Sequence, residues 1–239
     1  MKTQMMAEAS ALARQFRAQM GLNDSEPIDV TKILTKENIL TLFRPLSDTM
    51  YGLSLRSIDK AQKFILVNSE STMARQNFTI GHELYHLYFD ESPEQHVNRK
   101  EDEGSKSERV ANMFAAALLM PESGLLKMIP SEEARKRRIS IDTALMMEQY
   151  FGVSHKALII QLKDLNIIGS TCYDELIDRP VKDLAKQKAM PLDIYCKARE
   201  GVVYGDYMTL AARLYDEEKI SEGHYLELTN LIDDGREEG

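Results

Sequence analysis

The chain has 239 residues, 43% of them hydrophobic, which suits one large domain or a domain with a small extension. Its formal charge is −8, and residues 170–239 carry 9 basic against 16 acidic side chains, so the whole is not drawn to phosphates and a nucleic-acid role needs a local basic patch. Two cysteines, Cys172 and Cys196, exclude a disulfide framework; with a charged N-terminal stretch and no long apolar run, the expectation is a soluble, cytoplasmic protein with reduced thiols.

In chain order, Met6, Ala9, Ala13, Phe16 and Met20 recur at helical spacing over residues 3–20, and Gly21 ends that helix. Pro27-Ile28-Asp29 opens a short helix to about Thr35. Ile39–Arg44, Tyr51–Arg56 and Lys63–Asn68 have strand character and are separated by turn formers, which predicts a small antiparallel meander. A long helix is expected from about Thr72 to Phe89, then a polar, solvated loop over 90–107, then a helix from Lys106 to Leu119 stopped by Met120-Pro121. Helices near 140–151 and 154–166 flank a turn at Gly152. Beyond a soft boundary at 169–180 the chain turns acidic and helical, with Gly205–Tyr215 and Ser221–Ile232 the clearest periods.

His82-Glu83-Leu84-Tyr85-His86 is an H-E-x-x-H pattern on the long helix. At 3.6 residues per turn the two histidines stack on one face, with Glu83 about 100° from His82 and about 60° from His86. Two imidazoles can then hold a metal, normally Zn²⁺, with the carboxylate placed to take a proton from a water activated there. Ile80, Leu84, Leu87 and Tyr88 remain to bury the opposite side.

A catalytic zinc needs a third protein ligand. His96 falls in the polar loop, and His155 and His224 fall on segments that read as surface helices. Glu108 is the stronger candidate, because it starts a helix whose same face continues through Ala111, Asn112 and Ala115. Small residues there allow close approach to the histidine helix, and Asn112 can hydrogen-bond a ligating histidine's second nitrogen. Glu101, Asp102 and Glu103 are loop-borne rivals, and Tyr85, Tyr88 and His96 are the candidates for stabilising an oxyanion.

Phe78-Thr79-Ile80-Gly81-His82-Glu83-Leu84-Tyr85-His86-Leu87 together with Glu108-Arg109-Val110-Ala111-Asn112-Met113-Phe114-Ala115-Ala116-Ala117-Leu118-Leu119-Met120-Pro121 resembles the ImmA/IrrE family of bacterial metallopeptidases. The resemblance covers about residues 28–168. It implies a zincin-like minimal core and a gluzincin-like site, with His82, His86 and Glu108 as zinc ligands and Glu83 as base. It also implies a protein substrate, a helix-turn-helix repressor or antitoxin cut during stress responses. Gly81 stands where the family commonly has Ala, and Tyr85 where Gly is frequent.

Residues 140–168 have helix-turn-helix spacing, preceded by Arg135-Lys136-Arg137-Arg138, but the second helix offers few polar readers and the local charges nearly cancel. A helical pair packed on the core is the expectation, without direct DNA binding. The sequence therefore predicts an α+β metallopeptidase domain over 1–169, with a small antiparallel sheet and an active-site helix, and an acidic helical extension over 170–239. The alternative is a regulatory or toxin-like binding protein whose metal site is structural or vestigial.

Overall fold

A computed structural model describes residues 2–58, 61–90, 95–99 and 105–233, with 95–99 and 231–233 as backbone only. Helix α1, Lys2–Gln19, buries Met5, Ala9, Ala13 and Phe16 along one face, and Gly21 closes it at φ 67°. Helix α2, Val30–Lys36, is capped by the Asp29 carboxylate, which accepts from the Thr31 N–H. Strands β1 (Leu40–Arg44), β2 (Met50–Arg56) and β3 (Lys63–Asn68) follow, then the long helix α3 (Met73–Tyr88), strand β4 (Gln95–Arg99) and helix α4 (Lys106–Leu119).

The α+β class is as expected, but the sheet is mixed rather than a meander. Its order is β4-β2-β3-β1, extended by a two-residue strand β5 (Val203–Tyr204). β3 pairs antiparallel with β2 and parallel with β1, from Leu40 opposite Phe64 to Arg44 opposite Asn68. The loop from β1 to β2 therefore has to cross the end of β3, and Asn68 holds that crossing. Its Oδ1 accepts from the Leu46 N–H at 3.1 Å and the Glu70 N–H at 3.0 Å, while its Nδ2 donates to the Ser47 carbonyl at 3.2 Å and the Met50 carbonyl at 2.8 Å. One amide thus satisfies backbone groups that no ladder serves. β4 lies inside the stretch expected to be a loop; it is an edge strand of mostly polar residues that pairs with β2 alone, so apolar alternation does not announce it.

Helix α3 lies on the sheet, α4 packs against α3, and α1 packs against α4. Where these helices meet, Phe16 packs edge-to-face against Tyr88, Phe89 and Phe114, with centroids of Phe16 and Tyr88 5.1 Å apart. Arg17 is fully buried beside them. Its Nε and Nη2 donate to the Leu118 carbonyl at 2.9 and 2.6 Å, near the open C-terminal end of α4, and its Nη1 reaches the carbonyls of Asn23 and Glu26. Burial lowers this guanidinium to about 10, opposed by the charge of Asp24.

Four helices come next: α5 (Glu122–Met128), α6 (Ser131–Lys136), α7 (Ile141–Phe151) and α8 (His155–Asp164). α7 ends at Gly152 with φ 63°, and α8 starts on a Ser154 cap, as a helix-turn-helix unit would. Ala144, Met147, Phe151, Leu158, Ile159 and Leu162 sink into the core, so the pair packs onto the molecule. The neighbouring basic run is largely engaged: Arg135 and Lys136 pair with Glu132, and Arg138 pairs with Glu175.

After residue 169 come α9 (Ser170–Leu176), α10 (Val181–Gln187), a 3₁₀ turn at Asp193–Tyr195, β5, α11 (Tyr207–Asp216) and α12 (Glu222–Asp233). Cys172 and Leu176 belong to the common core, and both cysteines are free thiols. The Cys196 carbonyl accepts from the first amide of α3, Met73 N–H, at 2.7 Å, and the Ala198 carbonyl accepts from Gln76 Nε2 at 2.6 Å. β5 pairs antiparallel with β1. By contrast, α11 and α12 pack mainly on each other, with stacked rings of Tyr215 and Tyr225 5.0 Å apart. Among the described residues no helix is long and apolar enough to cross a membrane.

Candidate metal centre

His82, Glu83 and His86 occupy the C-terminal half of α3, all buried. The imidazole centroids of His82 and His86 are 4.9 Å apart and their Nε2 atoms 3.2 Å apart. Glu108 sits in the first turn of α4, where the Ser105 cap accepts from its N–H at 3.1 Å. Small residues bring the two helices close: a Cβ built on Gly81 would stand 3.3 Å from the Ala115 Cβ. Across that contact Glu108 Oε2 lies 3.2 Å from His82 Nε2, and its Oε1 lies 3.3 Å from His86 Nε2.

The far nitrogens of both rings are also held. His82 Nδ1 lies 3.0 Å from Asn112 Oδ1, and His86 Nδ1 lies 2.8 Å from Asp90 Oδ2, which also accepts from Ser107 Oγ at 2.8 Å. Arg56 on β2 donates to the carbonyls of Asp90 at 2.7 Å and Leu87 at 3.2 Å, which fixes the end of α3. An acceptor at each Nδ1 favours the proton there and turns the Nε2 lone pairs toward each other and toward a carboxylate. Such a convergence of donors calls for a cation. Ligands about 2.0–2.1 Å from a tetrahedral zinc stand about 3.3 Å from one another; the two Nε2 atoms, 3.2 Å apart, fit that edge, and each faces its own oxygen of the Glu108 carboxylate. Among the described residues this is the group of histidine, cysteine and carboxylate atoms that could hold a metal, with all ligand atoms within 4.8 Å. Burial disfavours a charged His82, yet the Glu108 contact and the Glu83 field outweigh it and raise the imidazole above its ordinary value.

Glu83, 0% exposed, accepts a hydrogen bond on Oε2 from Ser54 Oγ at 2.7 Å. Ser54 is on β2, whose buried positions are Gly52 and Ser54 while Leu53 and Leu55 take the other face. Sequence reasoning missed Ser54, Asp90 and Arg56 as parts of the site. For Ser54 a signal existed: small residues alternate on one face of a strand otherwise rich in leucine.

A family model described as an IrrE N-terminal-like domain, Peptidase_M78, matches residues 34–163. The chain belongs to this metallopeptidase family. The match takes in β1 to β4, α3, α4 and the α7–α8 pair, and so every residue of the His82, Glu83, His86 and Glu108 constellation. A comparison with curated proteins found no match. Helix α1 and the wrap after residue 164 lie outside the matched span of this peptidase.

The other candidates in the peptidase take different places. Tyr85 is buried with its ring against His86 and Phe114. Tyr88 points its hydroxyl to Glu37, donating at 2.8 Å. The backbone of His96 pairs in register with Ser54, its side chain lying outside the described residues, as do Glu101, Asp102 and Glu103. His155 is not on a surface; it is 6% exposed and paired with Glu148. His224 is exposed on α12.

Proposed function

We propose that the chain is a zinc-dependent endopeptidase in which His82, His86 and Glu108 hold the metal and Glu83 is the general base. The observation that carries this reading is the buried convergence of two Nε2 atoms and the Glu108 carboxylate, their ligand atoms within 4.8 Å of one another, with a second carboxylate, Glu83, on the helix of the histidines. A divalent ion held there supplies Lewis acidity to the scissile carbonyl and to the attacking water. Glu83 takes the proton of that water as its oxygen adds to the carbonyl carbon, then delivers it to the amine as the C–N bond breaks. Asn112 and Asp90 orient the two imidazoles, and the buried setting keeps bulk water from competing for the carboxylates. Two imidazoles with one carboxylate, a borderline donor set, favour zinc over harder ions.

The substrate in this reading is a regulatory protein of the cytoplasm, a helix-turn-helix repressor or antitoxin, as the family resemblance suggests. A metal kept only for structure would leave no task for Glu83, a buried carboxylate beside the cluster. The test combines metal analysis with cleavage of any helix-turn-helix protein encoded beside this chain. One zinc per chain, cleavage by the wild type and none by Glu83→Gln are expected. Retained cleavage in Glu83→Gln sinks the assigned mechanism, and stoichiometric zinc without cleavage of that protein counts against the substrate class.

A further inference from the structure

We propose that Ser54 is a positioning residue for Glu83, holding one oxygen of its carboxylate so that the base has a fixed orientation in the site. The inference rests on the reading of Glu83 as general base. Strand β2 is suited to the task because it is interior, paired with β3 on one side and β4 on the other, with Ser54 opposite both Ile65 and His96. Its register cannot slip without losing two ladders. Helix α3 approaches that strand unusually closely. A Cβ on Gly52 would meet Thr79 Cγ2 at 2.7 Å and the Leu66 carbonyl at 2.8 Å, and would stand 3.7 Å from Glu83 Oε1. The glycine lets the helix settle, and two residues on, Ser54 Oγ comes within 2.7 Å of Glu83 Oε2.

The chemistry of the donor fits a base. A glutamate has three side-chain torsions, and a hydrogen bond from a rigid strand restrains them. A lysine or arginine in this place would also restrain them, but its charge would stabilise the carboxylate and weaken it as a proton acceptor. A serine hydroxyl is neutral and donates a single hydrogen bond, so it restrains the carboxylate without placing a full positive charge against it. The competing explanation is that a fully buried carboxylate simply needs a donor for stability, and the two accounts predict different couplings.

The test uses zinc-loaded full-length protein and acetohydroxamic acid, a zinc-binding probe whose acidic proton is taken up by a correctly placed general base. Affinity is measured for wild type, Ser54→Ala, Glu83→Gln and the double variant, with zinc affinity from chelator competition and melting temperature alongside. Ser54→Ala is expected to weaken the probe about tenfold with zinc affinity unchanged, and to add nothing in the Glu83→Gln background. Ser54→Thr, which keeps the hydroxyl, should recover most of the affinity. Should Ser54→Ala fail to fold, Ser54→Cys, near in size and a poor donor, replaces it with the same expected loss. Probe affinity unchanged in Ser54→Ala while Glu83→Gln weakens it overturns the positioning role alone. An equal loss in the Glu83→Gln background, or one that follows zinc loss, assigns Ser54 to stability and overturns it too. No effect of Glu83→Gln sinks the general-base reading and the positioning role with it.

Discussion

The His155 ring and the Glu148 carboxylate meet at 2.5 Å inside the molecule, and the other ring nitrogen of His155 lies 2.7 Å from the Leu176 carbonyl. Both nitrogens face acceptors, which only the doubly protonated ring can satisfy. Burial works against that charge, but the contact with Glu148 prevails and raises the imidazole above its ordinary 6.5. Tyr195 also donates to this carboxylate, at 2.9 Å, so α7, α8, the end of α9 and the 3₁₀ turn converge on one pair.

Stability should therefore depend on pH in a defined direction. A cation with a raised folded-state value contributes fully below the unfolded value near 6.5, and the contribution is lost as pH rises through the folded value. Melting temperatures of wild type and His155→Gln should differ most at mildly acidic pH and converge as pH rises. His155→Ala is expected to destabilise by about 3 kcal/mol, read by denaturant unfolding below pH 6.5.

Metal retention should depend on the groups behind the ligands. Asn112→Ala and Asp90→Ala are each expected to weaken zinc binding about 10- to 100-fold, measured by chelator competition, while both proteins stay folded. His86→Ala should abolish stoichiometric binding. Because the surrounding carboxylates raise His82, protons compete for its Nε2, and zinc occupancy should fall as pH is lowered.

Two glycines near the site should respond oppositely to the same change. Gly52→Ala forces a methyl against the Leu66 carbonyl and Thr79, and is expected to cost about 2 kcal/mol or more. Gly81→Ala meets only Ala115 and Leu119 side-chain and Cα atoms at 3.3 Å or beyond, and a helical glycine replaced by alanine gains about 1 kcal/mol of propensity. Its melting temperature should stay near or above that of the wild type.

Truncation should separate two parts of the acidic C-terminal region. A chain ending at residue 169 loses β5, the Cys196 carbonyl at the start of α3 and the Leu176 carbonyl beside His155, and is expected to lose cooperative unfolding and zinc. A chain ending at 206 loses only α11 and α12 and should keep both. Calorimetry and metal analysis of the two chains decide it.

The sequence carried the helical parts of the site well. The α3 and α4 spans are predictable nearly to their ends because their apolar periods are long; helical geometry stacks His82 and His86, while Glu108 joins them through the close packing of α4 on α3 at Gly81 and Ala115. What depends on sheet register was not legible. Ser54 touches Glu83 only once β2 is set against α3, and β4 shows no apolar alternation from which to infer an edge strand. The parallel pairing of β1 with β3 sends the next loop across the end of β3, where the Asn68 side chain holds it, and in sequence Asn68 is an ordinary strand end. His155 looks like a surface residue until Glu148, seven positions earlier, folds back against it.

Asn68 acts in both directions, accepting two hydrogen bonds through its oxygen and donating others through its nitrogen. Aspartate would match its shape but face carbonyls with an acceptor, and serine would be too short to bridge both sides. The crossing of the chain past β3 is thereby pinned at one position that ligates nothing. Substitution at that position removes these bonds without touching a ligand, so a catalogue of inactive variants should include some whose metal-binding residues are all intact.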